Sequence, residues 1–67
     1  MKESMMNKMI GQYCKFVINE PGEKKASTIT GILKEIDKKN GFLLIESKLG
    51  EGIVNINSII AIKPKIQ

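Results

Sequence analysis

Two hydrophobic periods run through this chain. Met5, Met6, Met9 and Ile10 fall at i, i+1, i+4 and i+5, one apolar stripe on a helix over residues 2 to 12, while Lys2, Glu3, Asn7 and Lys8 face away. Ser4 is placed to cap its start and Gly11 to stop it, which bounds the helix at about 2–11. A methionine stripe is an adaptable packing surface, and its expected role is to cover an open end of whatever the remaining chain builds. From Gln12 the period becomes two. Cys14, Phe16 and Ile18 fall on one face of a first strand, with Tyr13, Lys15 and Val17 on the other.

That strand ends at Asn19-Glu20-Pro21-Gly22, where Pro-Gly predicts a type II turn. A second strand starts near Ala26, with Ile29, Gly31 and Leu33 on one face and Thr28, Thr30 and Ile32 on the other. A mid-strand glycine at 31 predicts strong bending or a close backbone approach. Ile32 makes the outer face apolar too, so the amino-terminal helix is expected to cover it. Asn40-Gly41 predicts a tight type I′ reversal. The third strand, Phe42 to Glu46, is apolar on both faces and therefore central. Residues 48–52 read as a flexible reversal. A fourth strand over 53–57 points Val54 and Ile56 in and Asn55 and Asn57 out, and after a break at Ser58 a fifth runs over 59–62 to Pro64.

A short helix followed by five short, bent strands predicts a single domain over 1–67, mainly β: a small, strongly bent five-stranded SH3-like barrel over about 12–64. Such a barrel closes imperfectly. Unpaired edge backbone is satisfied when one copy's edge pairs with the next copy's, and a head-to-tail contact of that kind builds a ring. Size sharpens this expectation, because 67 residues bury a small core. Cys14 is alone and histidine is absent, so neither an internal disulfide nor a zinc site of the usual kind is available, and self-association is the remedy left.

The sequence carries 11 lysines, no arginine and 7 acids, a formal net charge of +4. A mildly basic chain suits a polyanion partner, but acids are interspersed, and lysine lacks the planar fork with which arginine grips phosphate or guanine. No apolar run approaches the roughly 20 residues of a membrane span. The first ten residues, broken by Glu3, Ser4, Asn7 and Lys8, lack the apolar segment of a signal peptide, so a cytoplasmic location is expected.

Gly31, Leu33 and Asp37, followed by the apolar run Phe42-Leu43-Leu44 and closed by Ser58 to Pro64, resemble the Sm-like family, which includes archaeal Sm proteins and the bacterial Hfq chaperones. The resemblance extends from about Met6 to Pro64. It implies a helix-plus-five-strand barrel, a homo-oligomeric ring through edge-strand pairing, and single-stranded RNA held on loops. Two residues after the aspartate the family commonly places an aromatic or histidine, where this chain has Lys39. Four after it stands Gly41 in place of an asparagine, with Asn40 one place early. Asn55 and Asn57 occupy the region where the family supplies an arginine or a lysine-histidine pair. The family's base pocket is thus expected to be altered, with no aromatic platform near Asp37.

Two functions follow. In the first, a ring binds RNA weakly through repeated backbone charge, using Asp37, Lys38, Lys39, Asn40, Asn55 and Asn57. In the second, the same oligomeric barrel is an assembly or protein-interaction module without RNA binding. A structural role for Asp37, capping its own reversal, is at least as well founded as a binding role. No enzyme, cofactor or metal site is expected: there is no histidine for acid–base work, and Gly50-Glu51-Gly52 reads as a turn without the strand-to-helix setting of a phosphate loop.

Overall fold

The computed structural model describes residues 3–66. A helix α1 (Glu3–Asn7) precedes β1 (Tyr13–Ile18), β2 (Ser27–Asp37), β3 (Phe42–Ser47), β4 (Gly50–Asn55), a 3-10 turn (Ile56–Ser58) and β5 (Ile59–Pro64). The five strands form one antiparallel sheet in the order β4-β3-β2-β1-β5. The sheet is not closed: β4 and β5 are its two edges.

The connection between those edges dictates its shape. A flat sheet would separate β4 from β5 by four strand spacings, about 19 Å. The link from Asn55 to Ile59 is four residue steps, which reach at most about 14 Å. The sheet therefore curls. The longest strand makes this possible, since β2 pairs through Ser27–Ile32 with β1 and through Ile32–Asp37 with β3. A register shift between Leu33 and Glu35 bends β2 just past the middle, as an extra residue in one strand does. Gly31 is the companion of that bend. A Cβ there would lie 2.6 Å from the Glu46 carbonyl oxygen and 2.8 Å from Ile45 Cγ2, so only glycine permits the approach.

The concave face carries the core. Cys14, Phe16 and Ile18 of β1, Leu33 of β2, and Leu43 and Ile45 of β3 are buried, joined by Met6 of α1. Met9, Ile36, Val54, Ile56, Ile59 and Ile62 pack partly buried around them. The alternation expected for β1 thus holds residue by residue, whereas of the expected apolar stripe only Met6 is buried and Met9 partly so, Met5 and Ile10 remaining exposed. Gly22 at φ +86° and the Glu23 N–H to Glu20 carbonyl bond (3.1 Å) form the Pro-Gly turn expected there.

Four expectations need correction. The helix is shorter than 2–11, and Lys2 lies outside the described residues, as does the side chain of the expected cap Ser4. After Asn7 the chain tightens into i→i+3 bonds from Lys8, Met9 and Ile10 to Met5, Met6 and Asn7. Gly11 N–H then bonds Leu33 O (2.7 Å) and Leu33 N–H bonds Gln12 O (3.2 Å), so pairing with β2 claims these residues before another helical turn can form. Second, α1 contributes Met6 to the concave side and does not cover Ile32, which sits opposite Tyr13 and Glu46. Third, β4 begins at Gly50 and stops at Asn55. The reversal before it is only Lys48-Leu49, tied by Leu49 N–H to Ser47 Oγ (3.2 Å), and Ile56 enters the 3-10 turn. Fourth, the β2–β3 reversal is not type I′. Asn40 does not take the positive φ that turn demands, and four residues, Lys38 to Gly41, separate the paired Asp37 and Phe42.

Candidate nucleic-acid interface

At the end of β2 the Asp37 carboxylate uses both oxygens locally. Oδ1 accepts the Asn40 backbone N–H (3.1 Å) and Oδ2 accepts Asn40 Nδ2 (2.9 Å). The Gly41 N–H bonds the Asp37 carbonyl (2.8 Å), and Gly41 at φ +78° returns the chain to β3. Donors aimed at the ionised carboxylate hold its pKa below the ordinary range; the Asn40 side chain is the largest influence and the Asn40 backbone N–H the next. Asp37 is thus the clamp of a loop whose tip presents Lys38 and Lys39, both exposed.

A second turn stands beside the first. Asn55 ends β4 and caps the 3-10 turn, its Oδ1 accepting the Asn57 N–H at 2.8 Å. The Ile56 N–H bonds the Gly41 carbonyl (2.9 Å) and the Ser58 carbonyl accepts the Asn19 N–H (2.8 Å), so this turn is tied to the β2–β3 loop on one side and to the end of β1 on the other. The structure therefore brings the Asp37–Asn40 loop and the Asn55–Asn57 turn together at one end of the sheet. Asn40 Nδ2 and Asn55 Oδ1 each make one local hydrogen bond, so both carboxamides are held in place by their own turns.

Between the two turns lies a residue that offsets along the sequence did not find. Phe42 pairs with Asp37 on one side and Asn55 on the other, so the three side chains share one row on the convex face. Phe42 is 39% exposed, and with Glu35, Asp37, Leu44 and Ile53 it lines a shallow depression of about 180 Å³. The expectation that no aromatic lies near Asp37 is corrected. Counting residues forward from the aspartate reached Lys39 and Gly41, whereas hairpin pairing places the residue five positions on directly alongside. The signal was available in the apolar residue that follows Asn40-Gly41, once the loop was assigned four residues instead of two.

The arrangement offers two cations at a loop tip, a partly exposed aromatic ring in the next row and amide groups on both sides. Those are the parts with which proteins hold a single strand: ammonium groups for phosphate, a ring for a base face, amides for a base edge. Compared with known proteins, the chain matches no family model, no curated protein and no solved structure.

Proposed function

We propose that this chain is a non-enzymatic, ring-forming Sm-like barrel of the cytoplasm that binds single-stranded RNA weakly at the Asp37–Asn40, Phe42 and Asn55–Asn57 surface. The observation that carries the reading is the strand order. A curled sheet with β4 at one edge and β5 at the other presents two different unpaired edges, and joining β4 of one copy to β5 of the next satisfies both. Ile53 on β4 is 69% exposed and Ile60 on β5 is 57% exposed, large apolar residues of the kind an edge contact covers. Among the described residues no helix is long and apolar enough to cross a membrane. Repetition of one modest site around a ring supplies avidity that a single copy lacks.

Light scattering is expected to give a mass of several chains at micromolar concentration. Fluorescence polarisation with labelled oligo(U) and oligo(A) is expected to show binding at low salt that falls steeply as salt rises. A clean monomer at high concentration refutes the ring, and no signal at low salt refutes the RNA reading. A ring without RNA binding selects the second reading, an assembly module on the same barrel. That alternative is favoured by one observation, that both Asp37 oxygens are engaged by Asn40 within the loop.

A further inference from the structure

The outward side of β1 and β5 poses a separate problem. Cys14 and Phe16 are buried, so Tyr13 and Lys15 project to the convex face. Lys15 is paired on one side with Thr30 and on the other with Lys63. Two ammonium groups thus stand directly opposite each other on neighbouring strands, an arrangement that repels, and the row Lys63–Lys15–Thr30 contains no carboxylate. One step along, the Lys65 N–H bonds the Tyr13 carbonyl (2.9 Å), which sets a third lysine beside the chain's only tyrosine. The β3–β4 turn brings a fourth. Lys48 lines, with Tyr13, Thr28, Thr30 and Ser47, a groove of about 390 Å³. Tyr13 and Lys48 also share an adjoining depression of about 470 Å³ whose margin holds Glu46, itself paired with Glu51 on the edge strand β4.

We propose that this convex face is a second binding track for single-stranded nucleic acid, with Lys15, Lys63, Lys65 and Lys48 on successive phosphates and the half-buried ring of Tyr13 stacking on a base. An anion laid over the Lys15–Lys63 pair relieves its repulsion. A flat ring among cations and threonine hydroxyls suits a strand that alternates charge with aromatic faces better than it suits an acidic peptide, which has charge alone. The track lies at the opposite ends of β2 and β3 from the Asp37 loop and depends neither on that site nor on the ring.

The test is fluorescence polarisation of a labelled 12-nucleotide RNA against wild type, Lys15→Gln/Lys63→Gln, Tyr13→Leu and Lys38→Gln/Lys39→Gln, each checked for folding by circular dichroism and for mass by light scattering. Each lysine–phosphate contact carries about 0.7 of the slope of log affinity on log salt, so the Lys15/Lys63 variant should lose about 1.4 of slope, and a fourfold rise in salt should weaken it about sevenfold less than wild type. Tyr13→Leu, which keeps apolar bulk, should bind about fivefold or more weakly with an unchanged slope. Both effects should persist in the Lys38/Lys39 background. A Lys15/Lys63 variant that is folded, with wild-type affinity and slope, overturns the proposal. So does an altered mass without altered affinity, which would assign these lysines to contacts between copies, and so does an aspartate-rich 12-residue peptide that binds as tightly as the RNA.

Discussion

Gly31 and Gly52 are both strand glycines, and the structure assigns opposite signs to replacing them with alanine. At Gly31 the new methyl would meet the Glu46 carbonyl oxygen at 2.6 Å, Ile45 Cγ2 at 2.8 Å and the Glu46 carbonyl carbon at 3.1 Å. Carbon atoms rest at about 3.5–4.0 Å, so β3 must retreat by several tenths of an ångström. Its backbone is what stands in the way, and the Ile32–Glu46 and Leu33–Ile45 pairs are held there. Forcing a methyl into such a site costs about 1–3 kcal/mol, against about 0.4–1 kcal/mol gained by stiffening the unfolded chain. The net is a loss of about 1–2 kcal/mol, which for a domain of this size lowers Tm by about 5–15 °C. At Gly52 nothing lies within 4 Å of the added methyl and φ is not positive, so only the gain remains. Thermal melts followed by far-UV circular dichroism, at one protein concentration, decide the matter. Gly31→Ala should melt well below wild type and Gly52→Ala at or above it. A Gly31→Ala protein as stable as wild type would refute the view that close approach, not chain flexibility, requires glycine there.

Three more outcomes follow from the same geometry. Asp37 has a folded pKa below its unfolded value, so its contribution is present above about pH 4 and is lost as pH falls through the folded pKa; Asp37→Asn should flatten the acid limb of the urea midpoint plotted against pH, and an unchanged limb counts against the clamp. Cys14 is fully buried and desolvation raises its thiol pKa, so Ellman's reagent should label it only as fast as the chain unfolds; rapid labelling of the native protein would contradict the packing. Met6 is 1% exposed, and Met6→Ala should cost about 2–5 kcal/mol by urea denaturation, enough in so small a domain to leave a measurable unfolded fraction, whereas a cost under about 1 kcal/mol would mean that α1 is not part of the core.

Alternation made most of the sheet legible. Cys14, Phe16 and Ile18 could face inward only one way, and Pro21-Gly22 could build only one common turn, so β1 and its reversal were readable without coordinates. Gly31 declared itself because a glycine among β-branched neighbours is costly unless a backbone needs its space. What failed was decided by partners distant in sequence. The helix ended early because Gly11 and Gln12 bond to Leu33, some twenty positions away. The loop after Asp37 took four residues because Asp37 itself clamps Asn40, a bond that outweighed the local preference of Asn-Gly. Phe42 escaped notice for that same reason, since its neighbours in the site are set by register and not by spacing along the chain. The facing of Lys15 was readable, yet the lysine opposite it was not, because β1 meets β5 only across a strand order that the sequence did not disclose.

The two open edges are blunted at their ends and apolar at their centres, and this bears on how the proposed ring would limit itself. On β4, Gly50 and Gly52 flank Glu51 and expose little beyond backbone, while Ile53 stands exposed in mid-strand. On β5, Lys63 and Pro64 close the strand, and proline removes the donor that further pairing would need, while Ile60 is exposed near its start. An edge meant to repel every strand would carry its charge in the middle, whereas these carry it only at the margins. In the proposed ring the partner each edge would admit is a short strand. Each edge differs from the other, so in the proposed ring one copy would hand its β5 to the next copy's β4. Head-to-tail pairing of this kind builds a ring where the rotation from copy to copy closes and a filament where it does not, so the proposal requires a contact between β5 and β4 whose rotation closes.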